Sequence, residues 1–489
     1  MARAVPLWHP GGTLPHATTR NHDTRHLARP WKLLAVAVSV PARRHHPRDP
    51  QESVLVSVLE EHLDAFLQQV RDDTERSLPA FVERELRAIA ACGDFTRGFL
   101  RLRCGDCRRD RILPFSCKSS VCPCCAGRTM AERAAWLTDR VLPNHHVGWR
   151  QVVVTFPREL AIGLCFDADL ASRITRLCVR AIAQLQRSRA LPDPGLGRAR
   201  TAAVVWLQRF ADGLGCWFHL HVLIPDGIFR EQPGCLGVPF EPQPPPTPSE
   251  LRALVGCIAR RVTRLVSRRS PAPAAEDESL LLRCSQQPAH PGRGHATPPP
   301  TRPRRPTTLC AEHRGFTVHA ATSIPPNRVD RLERLVRYMA RPPVSDQRLR
   351  RRDDGRIELT LKRPRRGGVR TFVFEPLSFV ARLAALIPRP GSHSVRYYGC
   401  LSSGSPLRPW VVPVPPDPTP DRPTAPQRPQ TMPWADLMQR VFHEDVLACP
   451  CGGRLRIVAV LTQPDALQAV AAAIILSSQS SARAPPPRR

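Results

Sequence analysis

Lysine and tyrosine are nearly missing from this 489-residue chain. There are three of each: Lys32, Lys118 and Lys362, and Tyr338, Tyr397 and Tyr398. Any chemistry that needs a phenol therefore has three candidates. Long apolar runs are also lacking. The longest, Leu33–Val40 (broken only by Ser39) and Ala469–Leu476, span eight residues each. A membrane-crossing helix needs roughly 18–20, so such a span is excluded. Acidic residues are outnumbered 42 to 72 by Lys+Arg, giving a net charge of +30. With three lysines in that total, 69 residues are arginine. Arg, Pro, Ala and Gly share GC-rich codons, so base composition carries part of this excess. The rest favours a polyanionic partner, because neutralised phosphates release counterions.

The hydrophobic share of 42% is enough for packed cores and excludes wholesale disorder. Seven of the 17 cysteines fall between Cys92 and Cys125. The opening MARAVPLWHPGG has no signal-peptide pattern, so a reducing cytoplasm with metal-bound thiolates is expected, with the protein on the nucleoid when bound to DNA.

Composition and periodicity divide the chain. Residues 1–50, rich in Pro, His and Arg, read as a disordered basic tail. Residues 51–142 read as a helical and zinc-binding domain. Residues 150–345 read as an α/β catalytic domain with a Pro-rich insertion over 233–309, which holds one helical piece near 249–268. Residues 346–403 continue that core, 404–433 form a Pro-rich linker, and 434–489 form a C-terminal region. Strands are expected at 151–156, 202–210, 216–224 and 315–322, and helices at 130–142, 169–186 and 327–341.

Two C-x-x-C pairs, Cys104/Cys107 and Cys122/Cys125, have zinc-ribbon spacing and are expected to share one tetrahedral zinc, with Cys92 and Cys117 as possible replacements. Cys124 is surplus to that set. The later CPCGG (449–453) is one residue short of a C-x-x-C pair and reads as lone thiols or a degenerate knuckle.

In CWFHLHVLI, His219 and His221 sit one residue apart on a strand and so share a face. They supply two ligands of a divalent-metal site, or they are ordinary surface histidines. A third ligand is His319 or, across the hairpin, Gln208, with imidazole the preferred donor. Tyr338 lies off the apolar stripe of its helix, among Arg331, Arg334 and Arg341. It reads as a phenol poised to attack a phosphodiester, with those arginines as phosphate contacts, or as a ring stacked on arginines.

Together, FSCKSSVCPCCAGRTMAERAAWL (115–137), LQRF (207–210), FHLHVLIPDGIF (218–229), GFTVHA (315–320), RLERLVRYMARPP (331–343), FEPLSFVARLAALIPRP (374–390) and DVLACP (445–450) resemble the insertion sequence 91 family of rolling-circle transposases, which are HUH endonucleases. The resemblance implies an α+β fold, with an N-terminal helical and zinc-ribbon domain before a ferredoxin-like core. It also implies Mg²⁺ or Mn²⁺ on His219 and His221, and attack by Tyr338 on single-stranded DNA to leave a 5′-phosphotyrosine and a free 3′-OH. Pro342 stands where two-tyrosine members carry a second tyrosine, so the chain resembles the single-tyrosine type. RRGGV (365–369) departs from the family pattern. The alternative is a zinc-ribbon DNA-binding protein with an inactive, decayed core. An interaction scaffold built on the Arg/Pro-rich tails leaves the Cys, His and Tyr placements without a role.

Overall fold

The computed structural model describes residues 53–143, 145–190, 197–231, 237–269, 276–292, 309–413 and 432–463, with 465 and 467. The tail at 1–50, much of the Pro-rich parts of 233–309 and most of the linker lie outside the described residues. None of the described helices is long and apolar enough to cross a membrane.

The fold is α+β, and it centres on a six-stranded antiparallel sheet. Its order is Cys310–His313, Phe316–Ile324, Trp149–Thr155, Cys216–Pro225, Ala202–Phe210 and Val395–Gly399. We call Cys216–Pro225 the histidine strand. Alternation gives the sheet two differently covered faces. Val152, Val154, Leu220, Val222, Val318 and Ala320 are buried in a core shared with the helices Ala168–Ser188 and Pro248–Ser267. Trp149, Val204, Trp206 and Leu223 face the other way. They pack against Leu332, Val336 and Met339 of the tyrosine helix, Val329–Met339, and against Ala134 and Leu137 of the helix Pro123–Arg140.

Local chemistry sets the helix limits. Asp167 accepts a hydrogen bond from the Leu170 amide at 2.9 Å and so caps its helix. Thr247 and Glu250 form a reciprocal capping box for Pro248–Ser267. The tyrosine helix stops before Pro342-Pro343, as the residue before a proline is pushed out of helical geometry.

Three expectations need correction. The helix at 248–267 belongs to the central core and not to an insertion. Its buried Leu251, Leu254, Val255, Ile258, Ala259 and Val262 cover the main sheet. The helix expected from residue 130 begins at Pro123, whose fixed φ suits the first helical turn. The C-terminal region does not stand apart either. The strand Leu455–Leu461 pairs with Phe99–Cys104, which pairs with Asp110–Pro114, giving a three-stranded sheet that joins the C-terminal region to the N-terminal domain. The preceding helix, Trp434–Phe442, buries Leu437 against Ala131 and Ala135.

Candidate active site and metal centres

The register of the central sheet decides which polar side chains meet. His219 pairs with Thr155 on one side and Gln208 on the other, and His221 with Val153 and Trp206. Both imidazoles therefore project onto the face covered by the tyrosine helix. Their ring centroids are 5.0 Å apart. The Tyr338 ring meets His221 edge-on, with centroids 6.0 Å apart. Tyr338 is 47% exposed, so the phenol borders both the histidines and solvent. The Arg341 guanidinium lies 4.5 Å from the centre of its ring. Tyr397 and Tyr398 sit on the edge strand instead, opposite Val204 and Ala203. Burial raises the Tyr397 pKa.

Both histidines are kept neutral near pH 7. His219 is held down at about 4 and His221 at about 2, mainly by desolvation. The Arg341 charge adds to both shifts, and His219 adds to that of His221. Nδ1 of His219 lies 3.1 Å from the Trp217 carbonyl. A proton donated there leaves the Nε2 lone pair of His219 available. Nδ1 of His221 lies 2.7 Å from the Gln151 amide nitrogen. Turned over, that amide offers its oxygen to Nδ1–H and frees Nε2, the usual support behind a metal-bound imidazole. His221 Nε2 is buried without a hydrogen-bond partner, and so is Gln208 Oε1. The Gln208 amide nitrogen donates to the Met339 carbonyl at 2.6 Å, tying the hairpin to the end of the tyrosine helix. Two neutral imidazoles beside an unpartnered amide oxygen suit a divalent cation. Leaving such buried atoms unmatched costs about 1–3 kcal/mol each.

His319 lies one strand beyond this group. It pairs with Val153, which in turn pairs with His221, so a whole strand separates the two histidines. At about 4.8 Å per strand they are roughly 9–10 Å apart. No set of three His, Cys, Asp or Glu ligand atoms gathers at the pair among the described residues. Gln208 holds the cross-strand position beside His219, and His319 lies one strand further from His221 on the same face.

Of the three arginines expected near the phenol, Arg341 touches its ring. Arg334 is bound to Asp330 at 2.6 Å, and Arg331 lies two turns back on the helix surface. Further basic groups went unnoticed in the sequence. Arg348 and the Lys362 amide both bind the Asp212 carboxylate in the hairpin turn. The Lys362 ammonium is lowered to about 8, first by desolvation and then by Arg341 and Arg348. Gln151 also went unnoticed; its only signal is a polar residue opening an apolar strand. A groove of about 180 Å³ runs past Lys118, Arg133, Gln208 and Arg341.

The structure divides the four expected zinc cysteines between two clusters. Cys92, Cys117, Cys122 and Cys125 form one, and Cys104, Cys107, Cys449 and Cys451 the other. In each, all four Sγ atoms lie within 4.8 Å of one another. The hairpin between them is the cause. Cys104 ends its first strand, whereas Gly93 and Phe115 hydrogen-bond at its base beside Cys92 and Cys117. A six-residue strand keeps tip and base about 17 Å apart. In the first cluster, sulfur pairs lie 3.4, 3.6 and 3.8 Å apart. A zinc tetrahedron with bonds of about 2.3 Å has edges of about 3.8 Å. Hydrogen bonds from Cys117, Cys122 and Cys92 hold the Cys125 thiol well below its ordinary range. Cys125 also sits in the first turn of a helix, where the dipole favours thiolate.

The family comparisons follow this division. A family model described as "Putative transposase" matches residues 202–407, which hold His219, His221 and Tyr338, and a "Transposase zinc-binding domain" model of insertion sequence 91 type matches residues 58–156. The chain belongs to the insertion sequence 91 family of transposases. No curated protein and no solved structure matches it. In this transposase the zinc-binding domain and its thiol clusters support structural zinc, and the family assigns it to DNA transposition.

Proposed function

We propose that this transposase cleaves and joins single-stranded DNA at element ends by rolling-circle chemistry, with Tyr338 as its one nucleophile. The observation that carries the reading is the contact of a half-exposed phenol with His221, one of two neutral imidazoles, whose buried Nε2 lacks a partner, as does Gln208 Oε1. The order of elements around the central sheet, strand–helix–strand–strand–helix–strand, supports a ferredoxin-like HUH core.

The Tyr338 oxygen forms a new bond to the scissile phosphorus, and the bond from phosphorus to the 3′ oxygen breaks. The phenolic proton passes to solvent, and the departing 3′ oxygen is released as a hydroxyl. This leaves a 5′-phosphotyrosyl end that a later 3′-OH attacks in joining. Arg341, over the ring, stabilises negative charge on the phenol and phosphate. His219, His221 and Gln208 would hold Mn²⁺ or Mg²⁺, which polarises the scissile phosphate when bound. Gln151 sets the tautomer of His221. Lys362, Arg348 and the Lys118–Arg133 groove supply charge along the strand's path. A cavity of about 800 Å³ beside the hairpin turn, lined by Trp217, Phe372, Arg158, Arg365 and Arg382, offers aromatic faces and guanidiniums to unpaired bases. Cys92, Cys117, Cys122 and Cys125 would hold the structural zinc of the matched domain.

Incubation with a single-stranded element end and Mn²⁺ should give a denaturant-stable protein–DNA adduct. Tyr338→Phe should abolish it, and His219→Ala with His221→Ala should reduce it by about 10² or more. An adduct that survives Tyr338→Phe overturns the assignment of the nucleophile. Salt-sensitive DNA binding with no adduct from the unaltered chain favours the inactive-core alternative.

A further inference from the structure

Cys104, Cys107, Cys449 and Cys451 have no part in this chemistry, and the zinc-binding match ends at residue 156, far upstream of Cys449. We propose that these four cysteines form a second, composite zinc site that fastens the C-terminal segment to the N-terminal domain.

The sulfur geometry is that of a tetrahedron. Cys104 Sγ lies 3.6 Å from Cys451 Sγ, and Cys107 Sγ lies 3.6 Å from Cys449 Sγ. Each contact joins the two halves, so the short C-x-C spacing at 449–451 is no obstacle: each thiol bridges to a different member of the opposing C-x-x-C pair. Both halves are tight backbone turns. The Cys104 amide donates to the Arg109 carbonyl at 3.0 Å, the Cys449 amide to the Gly453 carbonyl at 2.9 Å, and the Gly452 amide to the Cys449 carbonyl at 2.9 Å. Gly452 has φ +87°, a conformation that favours glycine. Gly453 leaves no room for a side chain, since a Cβ there would lie 2.9 Å from Cys104 Sγ and collide with the Asp106 carboxylate. A fourth backbone bond, from the Gly105 amide to the Arg454 carbonyl at 3.1 Å, links the turns directly. Behind them the strands pair from Cys104–Leu455 to Phe99–Leu461, and Leu102 and Leu455 pack beside the buried Cys104 and Cys449. Cys107 and Cys451 are exposed, so an ion can enter.

The fastened segment reaches the nucleophile's helix. Arg440 of Trp434–Phe442 bonds Glu333 on the tyrosine helix at 2.6 Å and Asp139 on the Pro123–Arg140 helix at 3.0 Å. Zinc at the clip therefore holds a helix against the back of the element that carries Tyr338.

The test is zinc content and free-thiol titration of the full chain. Two zinc ions per chain are expected. Cys449→Ser with Cys451→Ser should retain one, as should Cys92→Ser with Cys125→Ser, and the two losses should add. Cys451→His, which keeps a ligand, should retain both ions and guards against a merely misfolded serine variant. Limited proteolysis should cut residues 432–461 faster in the Cys449/Cys451 variant. One zinc in the unaltered chain, unchanged by the Cys449/Cys451 substitutions, overturns the proposal. So do thiols at these four positions that appear only after reduction, which would mean disulfides. Neither result bears on Tyr338, whose adduct assay fails or succeeds separately.

Discussion

The thiol cluster at Cys92, Cys117, Cys122 and Cys125 and the histidine–tyrosine site lie in one molecule and are built on opposite plans. The cluster is closed: four sulfurs are one another's nearest partners, so an ion alone completes it. The histidine site is open. Two rings, an unpartnered amide oxygen and a half-exposed phenol leave positions that protein atoms do not fill. A saturated coordination shell serves folding, while an unsaturated one leaves room for a reacting group. The contrast supports a folding role for the cluster and a reacting role for the histidines.

Breaking the closed site should have the largest effect. Cys125→Ser removes a ligand from a site where zinc contributes on the order of 10 kcal/mol to folding of small zinc domains. The helices 54–74 and 80–90 should then lose protection in hydrogen exchange, while an unchanged exchange pattern would mean that this cluster is not a folding site. The open site should respond in function and not in fold. Gln151→Leu should weaken Mn²⁺ binding by about 10–100-fold through the loss of His221 orientation. Calorimetric titration with Mn²⁺ measures this, and Gln151→Glu, which keeps an acceptor, should restore affinity. The smallest effect is acid sensitivity. His219 and His221 have folded pKa values of about 4 and about 2 against 6.5 for a free imidazole, so the unfolded chain takes up protons first. Their contribution is full above about 6.5 and is lost as pH falls toward 4 and then 2. At pH 5 the cost from His219 is about 1–2 kcal/mol. Denaturant melts of His219→Gln should be correspondingly flatter in pH between 6.5 and 5.

Much of the central sheet was legible because its strands alternate or run apolar between turn signals. The predicted strands at 202–210 and 216–224 match the structure to within a residue. The meeting of Tyr338 with His221 was legible only as two separate oddities, an off-stripe phenol and an H-x-H, because the sequence cannot say which face a helix covers. The place of His319, two strands from His221, was not legible because strand order sets distance across a sheet. The helix at 248–267 was legible as a helix to within a residue, but its proline-rich flanks disguised its place in the core. The partners of Cys104 and Cys107 were hidden most deeply. They lie more than 340 residues away, in a motif whose spacing makes sense only beside its other half.

That separation bears on how the chain is made. At roughly 5–20 residues per second, tens of seconds pass between synthesis of Cys107 and of Cys449. Throughout that interval the hairpin 99–114 presents an unpaired strand edge and two unsatisfied thiols. The central sheet can close in the meantime, since its strands are all translated before residue 400. The C-terminal strand thus seals the first-made domain last, and a ribosome that stops early leaves an open strand edge behind a finished central sheet.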